Sequence, residues 1–139
     1  MKLRVLLGMC VLGLASACGG DSDGGGGGGG AGGDTVKVTL EEQNGSGKSG
    51  TAELFPGAAS VDVTIEIMGT SDLDPIHVHS GTCDSPGAEI LHDLGFTTAN
   101  LGQGQIFETM ENVATGELVI DIHDDKNDEV IMCGVIPAQ

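Results

Sequence analysis

Apolar and polar side chains alternate without interruption from Val61 to Ile67. A period of two is that of a half-buried β-strand, in which successive side chains point to opposite faces. Short segments of similar character recur with turns between them, at residues 35–42, 51–55, 75–80, 105–110, 117–123 and 130–136. Because no stretch has sustained helical periodicity, we expect an all-β domain, an antiparallel sandwich or flattened barrel of about seven to eight strands.

Two further stretches refine this expectation. Residues 130–136 are apolar throughout, which is typical of a central strand with neighbours on both sides. Residues 81–102 contain several Gly, Asp and Asn residues together with Pro86, and we expect this stretch to be a loop.

The first residues have the three parts of an export signal. Lys2 and Arg4 precede an apolar run from Val5 to Leu14, and small residues follow at positions 15–17. The apolar run is too short to cross a bilayer stably. We therefore expect residues 1–17 to be a signal peptide that is removed on export.

Cys18 follows directly, and its position resembles that of the lipidated Cys of bacterial lipoproteins. Residues 19–33 contain 11 glycines and have no apolar surface to bury, so 18–33 is predicted to be a lipidated Cys with a disordered linker. The globular domain is then 34–139. We expect a lipoprotein of the cell envelope that faces the periplasm or the exterior and touches the membrane through Cys18 alone. The alternative is ordinary cleavage and free secretion.

The predicted mature chain is strongly acidic. All 21 Asp and Glu residues lie beyond Cys18, against Lys37, Lys48 and Lys126 and no Arg, which makes its net charge near −18. This charge repels the phosphates of nucleic acids and anionic lipid surfaces, which excludes both as partners, and it attracts cations. Solubility of an exported protein would by itself also account for it. The sequence identifies no protein partner.

The cysteines reduce to one pair. Cys10 lies in the predicted signal peptide and Cys18 at the predicted lipidation site, which leaves Cys83 and Cys133. Two remaining cysteines in an oxidising compartment are expected to form a disulfide. Closing a loop of this length would stabilise the fold by about 4 kcal/mol on a chain-entropy model.

All four histidines lie in the predicted domain. His77 and His79 are two positions apart in a predicted strand, so their side chains share one face while Ile76 and Val78 share the other. His123 ends another predicted strand. If the two strands are neighbours, three imidazoles surround one point, and imidazole sites suit copper, zinc and nickel. Surface histidines without a role are the alternative.

These residues resemble a known family. His77-Val78-His79 followed by Gly81-Thr82-Cys83 resembles the Cu/Zn superoxide dismutases, in which an H-V-H strand leads to a G-C pair. Cys133-Gly134-Val135-Ile136 is similar to that family's closing C-G-V-I, and Val119–Asp125 to its strand that ends in a copper-binding His. A weaker resemblance extends back to about Val36. The resemblance implies an antiparallel Greek-key barrel and the same disulfide that the cysteine count predicts.

The resemblance also implies a ligand set. His77, His79 and His123 match the copper ligands of the family. His92 lies where the family has its bridging and zinc-binding histidines, so it would be a fourth metal ligand, and Asp93 would match the zinc Asp. The alternative is that His92 and Asp93 are surface residues of a loop.

The sequence departs from the family at three places. At most one His of the zinc loop remains, so zinc is expected to be absent or partly bound. The loop after the last copper His is shortened to about residues 124–129. The family's Arg that draws the anionic substrate is Val130 here. Since electrostatic steering is worth about 10- to 10³-fold in on-rate, superoxide would reach this site slowly.

Three carboxylates flank the last of these histidines. Asp121, Asp124 and Asp125 surround His123 in sequence, and one of them could accept a hydrogen bond from the outer ring nitrogen and fix its tautomer. The alternative is that they are solvated turn residues.

We therefore expect an exported lipoprotein with a superoxide dismutase-like domain that binds a transition metal, copper before zinc, through histidines. One alternative is a genuine zinc-less copper superoxide dismutase, because three His ligands leave an open coordination position. The other is a metal-free structural or binding module with a decayed site.

Overall fold

The computed structural model describes residues 33–69 and 73–139. The predicted signal peptide (1–17), the predicted lipidation site Cys18 and the predicted linker up to residue 32 lie outside the described residues. Within the described part of the chain, no helix has the length and apolarity needed to cross a membrane.

The described residues form nine strands and one short helix. These are β1 (Val36–Glu42), β2 (Ser49–Pro56), β3 (Val61–Met68), β4 (Pro75–Thr82), β5 (Ser85–Pro86), β6 (His92–Phe96), β7 (Leu101–Ile106), α1 (Met110–Val113), β8 (Leu118–His123) and β9 (Val130–Ile136). Every strand pair is antiparallel. The predicted all-β, antiparallel class is confirmed.

The strands follow one another in a single curled sheet, a half-barrel with the order β5-β4-β8-β9-β1-β2-β3-β7, and β6 also pairs with β4. β1 bridges the two halves, because its first five residues pair with β2 and its last two with β9. β9 has β8 on one side and β1 on the other, so the central position predicted for residues 130–136 is confirmed.

The inner face of the curled sheet holds the hydrophobic core. In β3 the alternation found in the sequence buries Val61, Val63 and Ile65 and leaves Asp62 exposed and Thr64 half-buried. In β4, Ile76 and Val78 share one face as predicted, and this face is completely buried at both residues. The side chains that alternate with these buried ones point to the opposite face of the sheet, which is called the outer face below.

Residues 81–102 are not the continuous loop that the sequence predicts. They contain β5, β6 and the start of β7. The strand predicted at 105–110 is also misplaced, because β7 ends at Ile106 and the helix α1 begins at Met110.

Glycines explain why β7 has no recognisable pattern. A Cβ on Gly102 would lie 2.6 Å from Ile76 Cδ1, and one on Gly104 would lie 2.7 Å from Leu94 Cβ. Neighbouring side chains therefore occupy the space that inward residues of β7 would fill. With Ile106 as its one inward apolar side chain among the described residues, the strand lacks the alternation that identifies β3.

Candidate metal centre

Two neighbouring strands bring the predicted histidines together. β4 and β8 pair so that His77 lies opposite Asp121 and His79 opposite Val119. Residues that face each other across an antiparallel pair project from the same side of the sheet. His123, two positions beyond Asp121, projects from that side as well. The outer face of this pair therefore carries all three imidazoles and one carboxylate.

Irregular pairing occurs next to two of the rings. The β4–β6 register shifts between Ile76 and His77, and the β8–β9 register shifts between Ile122 and His123. Bulges of this kind bend a strand and re-aim its side chains, and they are common beside functional sites.

Residues 83–91, between β4 and β6, cover this outer face and are called the covering segment below. The predicted disulfide is confirmed: Cys83 is bonded to Cys133 of β9, with a Cα–Cα distance of 5.6 Å. Cys133 and Val119 are almost fully buried although they lie outside the main core cluster. The disulfide thus holds the covering segment over β8 and β9.

The three rings stand close together. Ring centroids are 5.0 Å apart for His77 and His123, 5.8 Å for His77 and His79, and 6.2 Å for His79 and His123. One donor atom from each ring and one oxygen of Asp121 all lie within 4.8 Å of one another. This group of four could hold a metal ion.

Backbone carbonyls orient two of the rings. His79 Nδ1 lies 2.8 Å from the carbonyl oxygen of Glu89, and His123 Nδ1 lies 3.1 Å from that of Asp128. A carbonyl oxygen can only accept, so each Nδ1 carries the proton. In the neutral rings Nε2 is then the bare nitrogen, the form in which a histidine binds metal.

The inner atoms of the group have no hydrogen-bond partner. This holds for five buried atoms, which are His77 Nδ1, His79 Nε2, His123 Nε2 and both carboxylate oxygens of Asp121. Buried polar atoms in proteins are normally paired, and exceptions call for a reason such as an ion. Here the unpaired atoms belong to one group and are of the types that coordinate transition metals.

The local environment shifts two pKa values in opposite directions. Burial lowers the pKa of His77 below 6.5, and the neighbouring His123 lowers it further. The Asp121 carboxylate raises the pKa of His123 to about 8; burial opposes this shift and Asp128 adds to it. The neutral form, which can bind metal, is thus favoured at His77, whereas His123 must lose a proton to bind metal.

A cavity of about 330 Å³ leads to the donor group. Its apolar walls include Pro86, Ala88 and Ile90 of the covering segment and Val130 of β9. Among the described residues that line it there is no Lys or Arg, and Asp128 contributes a carboxylate. The cavity therefore has room for a small molecule, and no Lys or Arg among the described lining residues attracts an anion to it.

The structure does not bring His92 into the donor group. Register pairs His92 with Val78 and Asp93 with His77, so His92 shares the face of Val78, opposite to the imidazoles. Its side chain lines a different cavity, beside Glu108 of the segment before α1. Asp93 lies on the imidazole side, where its carboxylate accepts a hydrogen bond from the Gly95 amide at 2.8 Å.

The carboxylates near His123 have different positions from those expected. Asp121 is 1% exposed, so it is not solvated, and it faces the inner nitrogen Nε2 at 3.3 Å, not the outer one. The outer nitrogen, Nδ1, contacts Asp128, a residue that the sequence did not point to. Asp128 ends the turn after β8, and its distance from His123 in sequence gives no signal of this contact.

Asp124 and Asp125 belong to a separate acidic group with Asp74. Asp74 is buried, and its Oδ2 forms an ion pair with Lys48 Nζ at 2.9 Å. Its Oδ1 lies 3.4 Å from the backbone nitrogen of Asp125. This contact fastens the turn after β8 to the start of β4, which is a structural role.

Comparison with protein-family models gives no match, and neither does a search of the curated proteins.

Proposed function

We propose that this protein holds a transition metal ion, copper in the first place, at His77, His79 and His123. The observation that carries the proposal is the convergence of three buried imidazole nitrogens that lack hydrogen-bond partners. Leaving such atoms unpaired costs about 1–3 kcal/mol each, and one ion between the rings would satisfy all of them.

The preference for copper follows from ligand chemistry. Imidazole suits copper, zinc and nickel, and among divalent first-row ions copper binds most tightly to a given set of such ligands. A bound copper would supply a one-electron redox change. The chain itself orients His79 and His123 through the carbonyls of Glu89 and Asp128, and the covering segment forms one wall of the cavity.

We further propose that the domain is superoxide dismutase-like and that the protein is exported and lipid-anchored at Cys18. The first proposal is supported by an H-V-H strand with both rings on the outer face, next to the strand of His123, and by the Cys83–Cys133 disulfide. The second rests on the residue pattern at positions 1–18. Mass spectrometry of the N-terminal peptide from cells tests it, because lipidation requires a diacylglycerol-modified Cys18.

Copper binding is tested by titrating the chelator-treated protein with Cu²⁺ and recording electron paramagnetic resonance spectra and thermal melts. We expect one ion per chain and a signal with nitrogen ligands. Free metal at 100-fold its dissociation constant would stabilise the fold by about 2.7 kcal/mol. The variant His77→Ala/His79→Ala should lose both effects.

His92→Ala is the matched control, because His92 lies on β6, which pairs with β4, but on the face of the sheet opposite to the three imidazoles. It should bind copper like the unaltered protein. Equal losses in the control and in the double variant would contradict the site, and absence of binding in the unaltered protein would favour a metal-free module.

Dismutation of superoxide is the second candidate function, and the cavity that leads to the donor group favours it. Against a fast reaction stand the acidic chain and Val130, which offers no positive charge at the opening. Pulse radiolysis measures the rate at which the copper-loaded protein removes superoxide and so distinguishes metal binding alone from catalysis. A rate above that of hydrated copper would support the enzyme.

A further inference from the structure

Asp121 occupies a position at which a carboxylate is hard to explain as part of the fold. It lies within β8, it is 1% exposed, and Asp is disfavoured in strands. Neither of its oxygens has a hydrogen-bond partner. Burying an ionised carboxylate in this way is unfavourable unless a cation accompanies it, either a metal ion or the protonated ring of His123, whose Nε2 lies 3.3 Å away.

The distances around Asp121 match those between ligands of one ion. Its Oδ1 lies 3.3 Å from His123 Nε2 and 3.5 Å from His79 Nε2. Two ligands about 2.1 Å from one ion at the tetrahedral angle lie about 3.4 Å apart. Hydrogen bonds between nitrogen and oxygen are shorter, at about 2.7–3.2 Å.

The tautomer of His79 also favours an ion between its ring and Asp121. Its Nδ1 donates to the carbonyl of Glu89, so in the neutral ring the Nε2 lone pair points toward the Asp121 carboxylate. Two lone pairs that face each other at this distance repel. A cation between them turns the repulsion into two bonds.

We infer that Asp121 is itself a ligand of the bound ion, so that the site offers three nitrogens and one carboxylate oxygen and prefers a divalent ion to Cu⁺. This inference rests on the proposed function. A carboxylate is a hard, anionic donor, whereas Cu⁺ prefers soft sulfur ligands. A site with this donor set therefore favours a divalent ion over Cu⁺.

Asp121→Asn tests the inference, since it keeps the shape of the side chain and removes the charge. Affinities for Cu²⁺ and Cu⁺ are measured separately by competition with chelators specific for each oxidation state. We expect Cu²⁺ affinity to fall by about 10- to 100-fold or more, the loss known even for residues that only support a ligand. The Cu⁺ affinity should change much less.

Asp93→Asn is the matched control. Asp93 is an acidic residue paired with His77 on the same side of the sheet, but it is not in the donor group. It should leave the ratio of the two affinities unchanged. Equal effects of the two variants on that ratio, or an Asp121→Asn protein that binds Cu²⁺ like the unaltered one, would overturn the inference.

A crystal structure of the unaltered protein soaked with zinc gives a second test that needs no variant. We expect an Asp121 oxygen about 2.0–2.2 Å from the ion. An ion held by the three rings with this carboxylate more than about 3 Å away would refute the inference and leave the proposed function standing. Failure of the unaltered protein to bind any divalent ion would instead refute the proposed function.

Discussion

The Asp121 carboxylate lies 3.3 Å from His123 Nε2, on the side of the ring that faces the other two imidazoles. The same two groups can therefore form an ion pair when no metal is bound and bind one ion together when it is. Metal and proton compete for this position, and the competition can be measured at His123.

The first prediction concerns the pKa of His123 in chelator-treated protein. Since Asp121 is the main cause of the shift, the pKa should be about 8, and Asp121→Asn should bring it back toward 6.5. Heteronuclear NMR of the imidazole nitrogens against pH measures both values. Asp62→Asn, an exposed change on β3, should leave the pKa in place. An equal shift in that control would indicate a general effect of net charge.

The second prediction concerns stability against pH without metal. A pKa raised on folding contributes stability that is complete below the unfolded value of 6.5 and is lost as the pH rises through about 8. Melting temperatures should therefore fall between these limits. Asp121→Asn should flatten the decline, and an unchanged slope in that variant would contradict this assignment.

His77 acts in a different window. Its pKa is lowered on folding, so its contribution is present above 6.5 and is lost as the pH falls through the lower, folded value. Melts of His77→Gln below pH 6.5 should therefore show a weaker acid dependence than those of the unaltered protein.

How much of the fold was predictable depends on whether side chains fill the inner face. β3 and the first half of β4 were predictable because their inward positions carry apolar residues, such as Val63 in β3 and Ile76 and Val78 in β4. β7 was not, because two of its three inward positions are Gly102 and Gly104, whose space is filled by Ile76 and Leu94 of other strands. A close approach between strands depends on tertiary packing, which no local pattern contains.

The site shows the same division. That His77 and His79 share a face follows from the period of a strand alone. The burial of Asp121 does not follow from that period, because it depends on the covering segment, which comes after β4 and is held in place by the disulfide. The alternation of Val119, Asp121 and His123 signals a common face, but the sequence does not show that this face is covered.

The third prediction concerns the disulfide. Cys83→Ser/Cys133→Ser should lower the free energy of unfolding by about 2–5 kcal/mol in urea titrations. It should also weaken metal binding, because the carbonyl that orients His79 belongs to Glu89 of the covering segment. Ile65→Ala is the matched control: it costs about 2–5 kcal/mol in the core of β3. If metal affinity falls equally in the control, general destabilisation and not the covering segment is responsible.

The fourth prediction concerns the junction of β1 and β9, where the two halves of the sheet meet. A Cβ on Gly134 would collide with the backbone carbonyl of Thr39 and lie 2.7 Å from Val38 Cγ1. Backbone cannot turn aside as a side chain can, so Gly134→Ala should cost about 1–3 kcal/mol or more in urea titrations. Val135→Ala, on the next residue and 41% exposed, should cost less than about 1 kcal/mol. If Gly134→Ala is as stable as the unaltered protein, β1 does not approach β9 this closely, and the two halves of the sheet meet in another way.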